Sequence, residues 1–149
     1  GTYLAATGSI DGTVLLATLP WGAIATAVLF GKHLDKIEAD SSRGVGTFVV
    51  RIGERRARAG TLLLLSVGYI SVALFGLLGI FPWIVAPLAG LGALSALPAM
   101  KIVAAPRPSA PPAGYPLWPL WHVGAAFLAG RPAMGALFVG LILGTLLGV

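Results

Sequence analysis

Charged side chains leave four long gaps along the chain, and apolar residues fill them. No Asp, Glu, Lys or Arg occurs in residues 12–31, 59–100, 108–130 or 132–149. A helix crossing a bilayer needs about 20 apolar residues, so the gaps predict membrane spans. The first lies at 14–31, with Pro20 inside it, which a membrane helix tolerates when neighbours satisfy the freed carbonyl. The second gap is too long for one helix and suits two. Phe81, Pro82 and Trp83 mark the break, because proline ends the helix before it and tryptophan favours the interface. Helices are expected at 60–80 and 83–103. Residues 105–116 are proline-rich and predict an extended connector. The stretch 117–130 is short for a span and predicts a half-buried or interfacial helix. The stretch 133–149 predicts a last span, with Gly140, Gly144 and Gly148 in the small-xxx-small spacing of close helix packing. The expected fold is all-α: a polytopic transmembrane helical bundle of four to five membrane segments.

Composition agrees. Of the 149 residues, 57% are hydrophobic and only 10% charged, against about 25% charged in a soluble domain. Mean hydropathy is +0.93. These values exclude a soluble globular enzyme, and they exclude a disordered tail, which needs low hydrophobicity. The net charge of +5 in so apolar a chain reads as anchoring to lipid headgroups. Membrane lipids are the expected partners, and nucleic acid is not. The absence of cysteine removes disulfides, thiolate nucleophiles and Cys-based zinc sites.

The position of the charges is more telling than their number. Eleven of the fifteen fall in residues 32–58, leaving only Asp11, Lys101, Arg107 and Arg131 elsewhere. The positive-inside rule makes the 32–58 connector cytoplasmic, in a multi-pass protein of a prokaryotic plasma membrane. Two spans later the chain returns to that side with Lys101 and Arg107. Within the connector Asp35, Glu38 and Asp40 sit among Lys32, Lys36 and Arg43. Asp35 and Glu38 share a helix face at i, i+3, and Asp40 lies further round. Three acids at a membrane surface suit a hard cation such as Mg²⁺, which bridges to substrate phosphates. Lys and Arg among them suit charge-assisted hydrogen bonds to those phosphates. The same charges also suit a solvated loop anchored by its basic residues, and spacing alone leaves both readings open.

Other positions read more plainly. Asp11 reads as a helix N-cap. His33 reads as an interfacial histidine beside the acids. His122 and the tryptophans Trp83, Trp118 and Trp121 read as an aromatic belt. Arg55, Arg56 and Arg58 read as headgroup anchors, and Gly90 and Gly92 as points of close helix approach.

The stretch 32–54 resembles the second aspartate-rich motif of the UbiA superfamily of intramembrane prenyltransferases. In that motif a helix ends in a D-x-x-x-D loop, followed by a basic residue, Gly-x-x-Thr and a V-R-L-G-like step. Here Asp40 is followed by Arg43, Gly44, Thr47 and then Val50, Arg51, Ile52 and Gly53. Counted back from Thr47, Asp40 falls on the second aspartate and Glu38 on a position often acidic. The first aspartate falls on Lys36, with the acid one residue earlier at Asp35. A basic residue often precedes the threonine. Gly46 stands there, with Arg43 and Arg51 the nearest substitutes.

The resemblance implies a transferase that moves a prenyl group from a prenyl diphosphate to an aromatic or lipid acceptor, in quinone or lipid biosynthesis. It implies Asp35, Glu38 and Asp40 as Mg²⁺ ligands, with Asp35 and Asp40 the catalytic pair. Lys32, Lys36, Arg43 and Arg51 would hold the diphosphate. It also implies that residues 1–149 are the C-terminal part of a larger, nine-helix domain, inactive alone. The first motif, N-D-x-x-D, is missing, and the chain has no asparagine. Half of a transporter and a non-catalytic anchor subunit are the alternatives.

Overall fold

A computed structural model describes residues 1–116 and 118–149 and is helical, with no strand among the described residues. Two short helices open the chain, α1 (Thr2–Thr7) and α2 (Gly12–Ala17). The Asp11 carboxylate accepts from the backbone N–H of Thr13 and Val14 and so caps α2, as its position predicts. Then come α3 (Leu19–Leu34), α4 (Ile37–Ser42), α5 (Phe48–Ile52), α6 (Glu54–Leu77), α7 (Val85–Ala104) and α8 (Trp121–Leu147). Four stretches are long and apolar enough to cross a membrane: Gly12–Leu34, Glu54–Leu77, Val85–Ala104 and Trp121–Leu147. The chain is a multi-pass membrane protein.

Two expectations change. The segments foreseen at 117–130 and 133–149 are one helix, α8, and Arg131 lies inside it rather than in a break. (Leu117 itself lies outside the described residues.) In lipid, backbone groups must be satisfied within the segment, so one arginine and Pro132 do not end a helix that is apolar on both sides. Pro20 sits in the first turn of α3, where its missing N–H costs nothing, rather than in a helix interior. The turn at Phe81 and Pro82 is as foreseen.

The long helices form a closed ring, each touching its chain neighbour, and α8 returns to pack on α3 as well as α7. The inner layers are rich in small residues. Ile24, Ala27, Leu65, Tyr69, Ala96, Ala129 and Ala133 form one cluster. Val72, Phe75, Phe81, Val85, Ala89, Ala136 and Leu137 form the next, toward the turn at Phe81. Small side chains let membrane helices approach until dispersion and carbonyl contacts hold them. The Tyr69 hydroxyl bridges α6 to α8 by donating to the Ala129 carbonyl at 2.7 Å.

Gly140 belongs to this pattern, since a Cβ there would lie 2.5 Å from Val85 Cγ2. Gly148 instead ends α8 with φ 71°. Gly92 faces the Pro132 backbone, whereas Gly90 faces open space.

The tightest approach of one backbone to another closes the ring. A Cβ on Gly31 of α3 would stand 2.7 Å from the His122 carbonyl oxygen and 2.8 Å from Val123 Cα. Both are backbone atoms of α8, so no side chain can swing away. Replacing Gly31 with Ala is expected to cost about 1–3 kcal/mol by overpacking, whereas Gly90→Ala leaves stability unchanged or raises it. Thermal unfolding of the two variants in detergent micelles checks this contrast.

Candidate functional site at the bundle mouth

The expected site residues all lie at one end of the bundle, where α3 ends and α6 begins. Leu34, Val49 and Ala57 pack together there and fasten α5 to the long helices. Thr47 starts α5 by accepting from the Val50 N–H at 3.3 Å. This fold places Arg51 over the 44–47 loop, so that a Cβ on Gly46 would lie 3.6 Å from Arg51 Nε. The cation missing from position 46 is thus matched in space by a neighbour's guanidinium. Lys32, Lys36 and Arg43 are exposed on the same mouth.

The three acids separate. Asp35 ends α3, and its side chain is only 6% exposed. One carboxylate oxygen accepts from the His122 N–H at 2.8 Å and the other from the Val123 N–H at 3.0 Å. These donors are orphan amides of the first turn of α8, so Asp35 caps a helix 87 residues away. The positive end of the α8 dipole faces its charge. Asp40 turns the other way, its Oδ2 3.6 Å from His33 Nδ1. Glu38 is exposed.

A cleft of about 410 Å³ opens between these elements and the proline-rich connector, lined among others by Asp35, Glu38, Glu54, Arg107, Trp118 and His122. Asp40 is not part of it. Among the described residues no three His, Asp or Glu side chains come close enough to hold a metal ion. The triad of Asp35, Glu38 and Asp40 does not fit a cation in this arrangement, because the oxygens of Asp35 are given to α8.

The UbiA prenyltransferase family model matches residues 1–122. The chain belongs to that family. It is also 35% identical over 83 residues to the 1,4-dihydroxy-2-naphthoate octaprenyltransferase of Haemophilus influenzae. That match covers 56% of this chain and 27% of the relative, so the chain spans about a quarter of the relative's length. No solved structure matches the chain.

Several residues of this UbiA-family mouth have roles their sequence context hides. His122 is not an interfacial residue. It is 1% exposed, with Nδ1 3.3 Å from Asp35 Oδ1 and Nε2 3.2 Å from the Ala105 carbonyl oxygen. Trp121 is buried too, its ring 4.8 Å from that of Tyr115. Arg107 donates to the Asp35 carbonyl at 3.1 Å and lies 4.5 Å from the Trp118 ring centroid, a cation–π pairing. Arg58 is no headgroup anchor. It pairs with Glu54 at 3.3 Å and donates to the Ala104 carbonyl at the end of α7. Tyr115 hydrogen-bonds the Leu120 carbonyl at 3.0 Å. Burial pushes its phenol above the ordinary range, and the nearby Asp35 charge adds to the effect.

One sequence signal did point to Asp35. Position 120, just before α8, is a leucine that offers no side-chain cap, so the amides of α8 need an acceptor from elsewhere. Removing that acceptor leaves buried donors unpaired. Asp35→Ala is expected to cost about 1–3 kcal/mol, and Asp35→Asn less, since one oxygen remains. Glu38→Gln is expected to cost nothing measurable. Equilibrium unfolding in micelles ranks the three.

Proposed function

We propose that this chain forms the diphosphate-binding wall of a membrane prenyltransferase, with the mouth at 32–58 on the cytoplasmic side. The observation that carries the reading is the Lys/Arg-rich connector at the bundle mouth of a UbiA-family chain. The donor is a prenyl diphosphate. The acceptor is an aromatic ring, and the relative's name makes a dihydroxynaphthoate the first one to try. The prenyl tail lies along apolar helices open to lipid.

The chemistry follows from the charges. The allylic C–O bond breaks, and the diphosphate leaves with the electron pair. An aromatic carbon of the acceptor bonds to the allylic carbon and then loses its proton. Negative charge grows on the leaving oxygens, and Lys32, Lys36, Arg43 and Arg51 are the residues that would meet it. Asp35 is held by α8, so Glu38 and Asp40 are the carboxylates that would contribute to holding Mg²⁺, which when bound would offset charge on the leaving diphosphate. Residues 1–149 thus supply one wall of the site, and they are expected to give no turnover by themselves.

The test uses the full-length enzyme in membranes, with labelled prenyl diphosphate and a panel of aromatic acceptors. Lys36→Ala and Arg51→Ala are each expected to lower kcat/KM at least about tenfold. Asp40→Asn is expected to lower kcat and to raise the Mg²⁺ concentration needed for half-maximal rate. Full activity in Asp40→Asn sinks the assignment of that carboxylate. Labelled product with no acceptor in the panel sinks the aromatic acceptor.

A further inference from the structure

We infer that the outward face of α8 around Arg131 seats another transmembrane helix, one that carries a carboxylate near the middle of the bilayer. The helix belongs to the part of the larger family protein that these 149 residues do not include. The inference rests on family membership and not on the catalytic reading.

The depth of Arg131 is fixed by its neighbours. A Cβ on Gly130 would meet Ile24 Cγ2 of α3 at 2.5 Å, and Gly92 of α7 faces the Pro132 carbonyl. The Ala129 carbonyl accepts from Tyr69 of α6. Ile24, Gly92 and Tyr69 each lie in the middle part of their own span. Along α8 itself, Arg131 is about 15 Å from Trp121, at 1.5 Å per residue. Snorkelling to the headgroups serves basic residues near helix ends, and Arg131 is not near one.

At that depth the side chain is exposed. The close contacts of basic with acidic side chains among the described residues are His33 with Asp40, Arg58 with Glu54, and His122 with Asp35. None involves Arg131. Pro132 adds a second demand, because it has no amide proton to offer the Leu128 carbonyl one turn back. Leu128, Arg131 and Pro132 line a shallow hollow of about 320 Å³. A cation and a carbonyl with no helical donor therefore stand side by side where lipid tails can satisfy neither.

The surrounding surface is shaped for a helix. Leu128, Phe138 and Ile142 are exposed at helical spacing on this side of α8. Between them, a Cβ on Gly135 would meet nothing within 4 Å, which leaves room for a close backbone approach.

The chain's own acids exclude a second copy as the occupant. Asp11 caps α2 at one end of the bundle. Asp35, Glu38, Asp40 and Glu54 are at the other end, outside the middle of every span. No copy of this chain brings an acidic side chain to the level of Arg131. The matched relative, of which the alignment covers 27%, has ample chain left to supply one.

Photocrosslinking in the full-length protein in its native membrane tests this. Benzoylphenylalanine replaces Gly135, the membranes are irradiated, and the adducts are mapped by peptide mass spectrometry. The expected product joins α8 to another apolar segment of the same polypeptide, with an Asp or Glu within about two turns of the cross-link. In mild detergent Arg131→Leu is expected to lower the melting temperature by about 5 °C or more, and Arg131→Lys by less than half as much. Adducts found only on lipid, only on a second copy of α8, or only on a different protein overturn the proposal. So does an Arg131→Leu protein as stable as the unsubstituted one. If Arg131→Leu fails to fold, the cross-link, made with Arg131 in place, still decides.

Discussion

A helix that begins at a membrane mouth brings several unpaired amides into a place with little water. The ring of long helices meets this demand at the contact between the end of α3 and the start of α8. Gly31 removes the side chain that would hold the two backbones apart. One helical turn later Asp35 delivers its carboxylate to the His122 and Val123 amides. The pair acts as a unit: the glycine sets the distance and the acid makes it favourable. The proline-rich connector is fastened by the same junction, because Arg107 binds the Asp35 backbone and His122 faces the Ala105 carbonyl.

The spans were legible because lipid imposes a simple code. Apolar length and the absence of charge are direct consequences of a 30 Å hydrocarbon layer, and they can be read one segment at a time. The Phe81–Pro82 turn and the Asp11 cap were legible for the same reason, since each is settled by neighbours in sequence. The break foreseen at Arg131 failed because a charge was treated as a boundary. Arg131 is instead a cost inside a helix whose backbone hydrogen bonds are worth more than one awkward side chain, and such a cost has to be met by something outside the bundle.

The mouth was legible in its residue types and only partly in its geometry. Lys32 to Arg51 stood out as a mixture of acids and bases, and the structure does gather them at one end. The partners of Asp35 were hidden, because spacing rules connect residues a turn apart and its partners are 87 positions away. His122 was misread for the same reason, having no acidic neighbour in sequence. The visible clue was negative: α8 starts without a capping residue of its own. An unmet demand in one segment and an unexplained acid in another are together a contact prediction.

The one-residue offset between Asp35 and the position the UbiA motif assigns to its first aspartate then has a physical meaning. Residues 35 and 36 form the turn between α3 and α4, where neighbouring side chains face different ways. An acid at 36 points to the mouth, where Lys36 is exposed. An acid at 35 turns toward α8, where the carboxylate is buried against two amides. The exchange therefore trades a mouth-facing acid for a helix cap and puts a cation in its place. Both changes alter the mouth in the same sense: it loses one carboxylate suited to a metal and gains one ammonium suited to a diphosphate. In the proposed diphosphate-binding mouth such a change would favour direct Lys/Arg contacts over carboxylate-held metal, and Arg51 folded over Gly46 would act in the same direction.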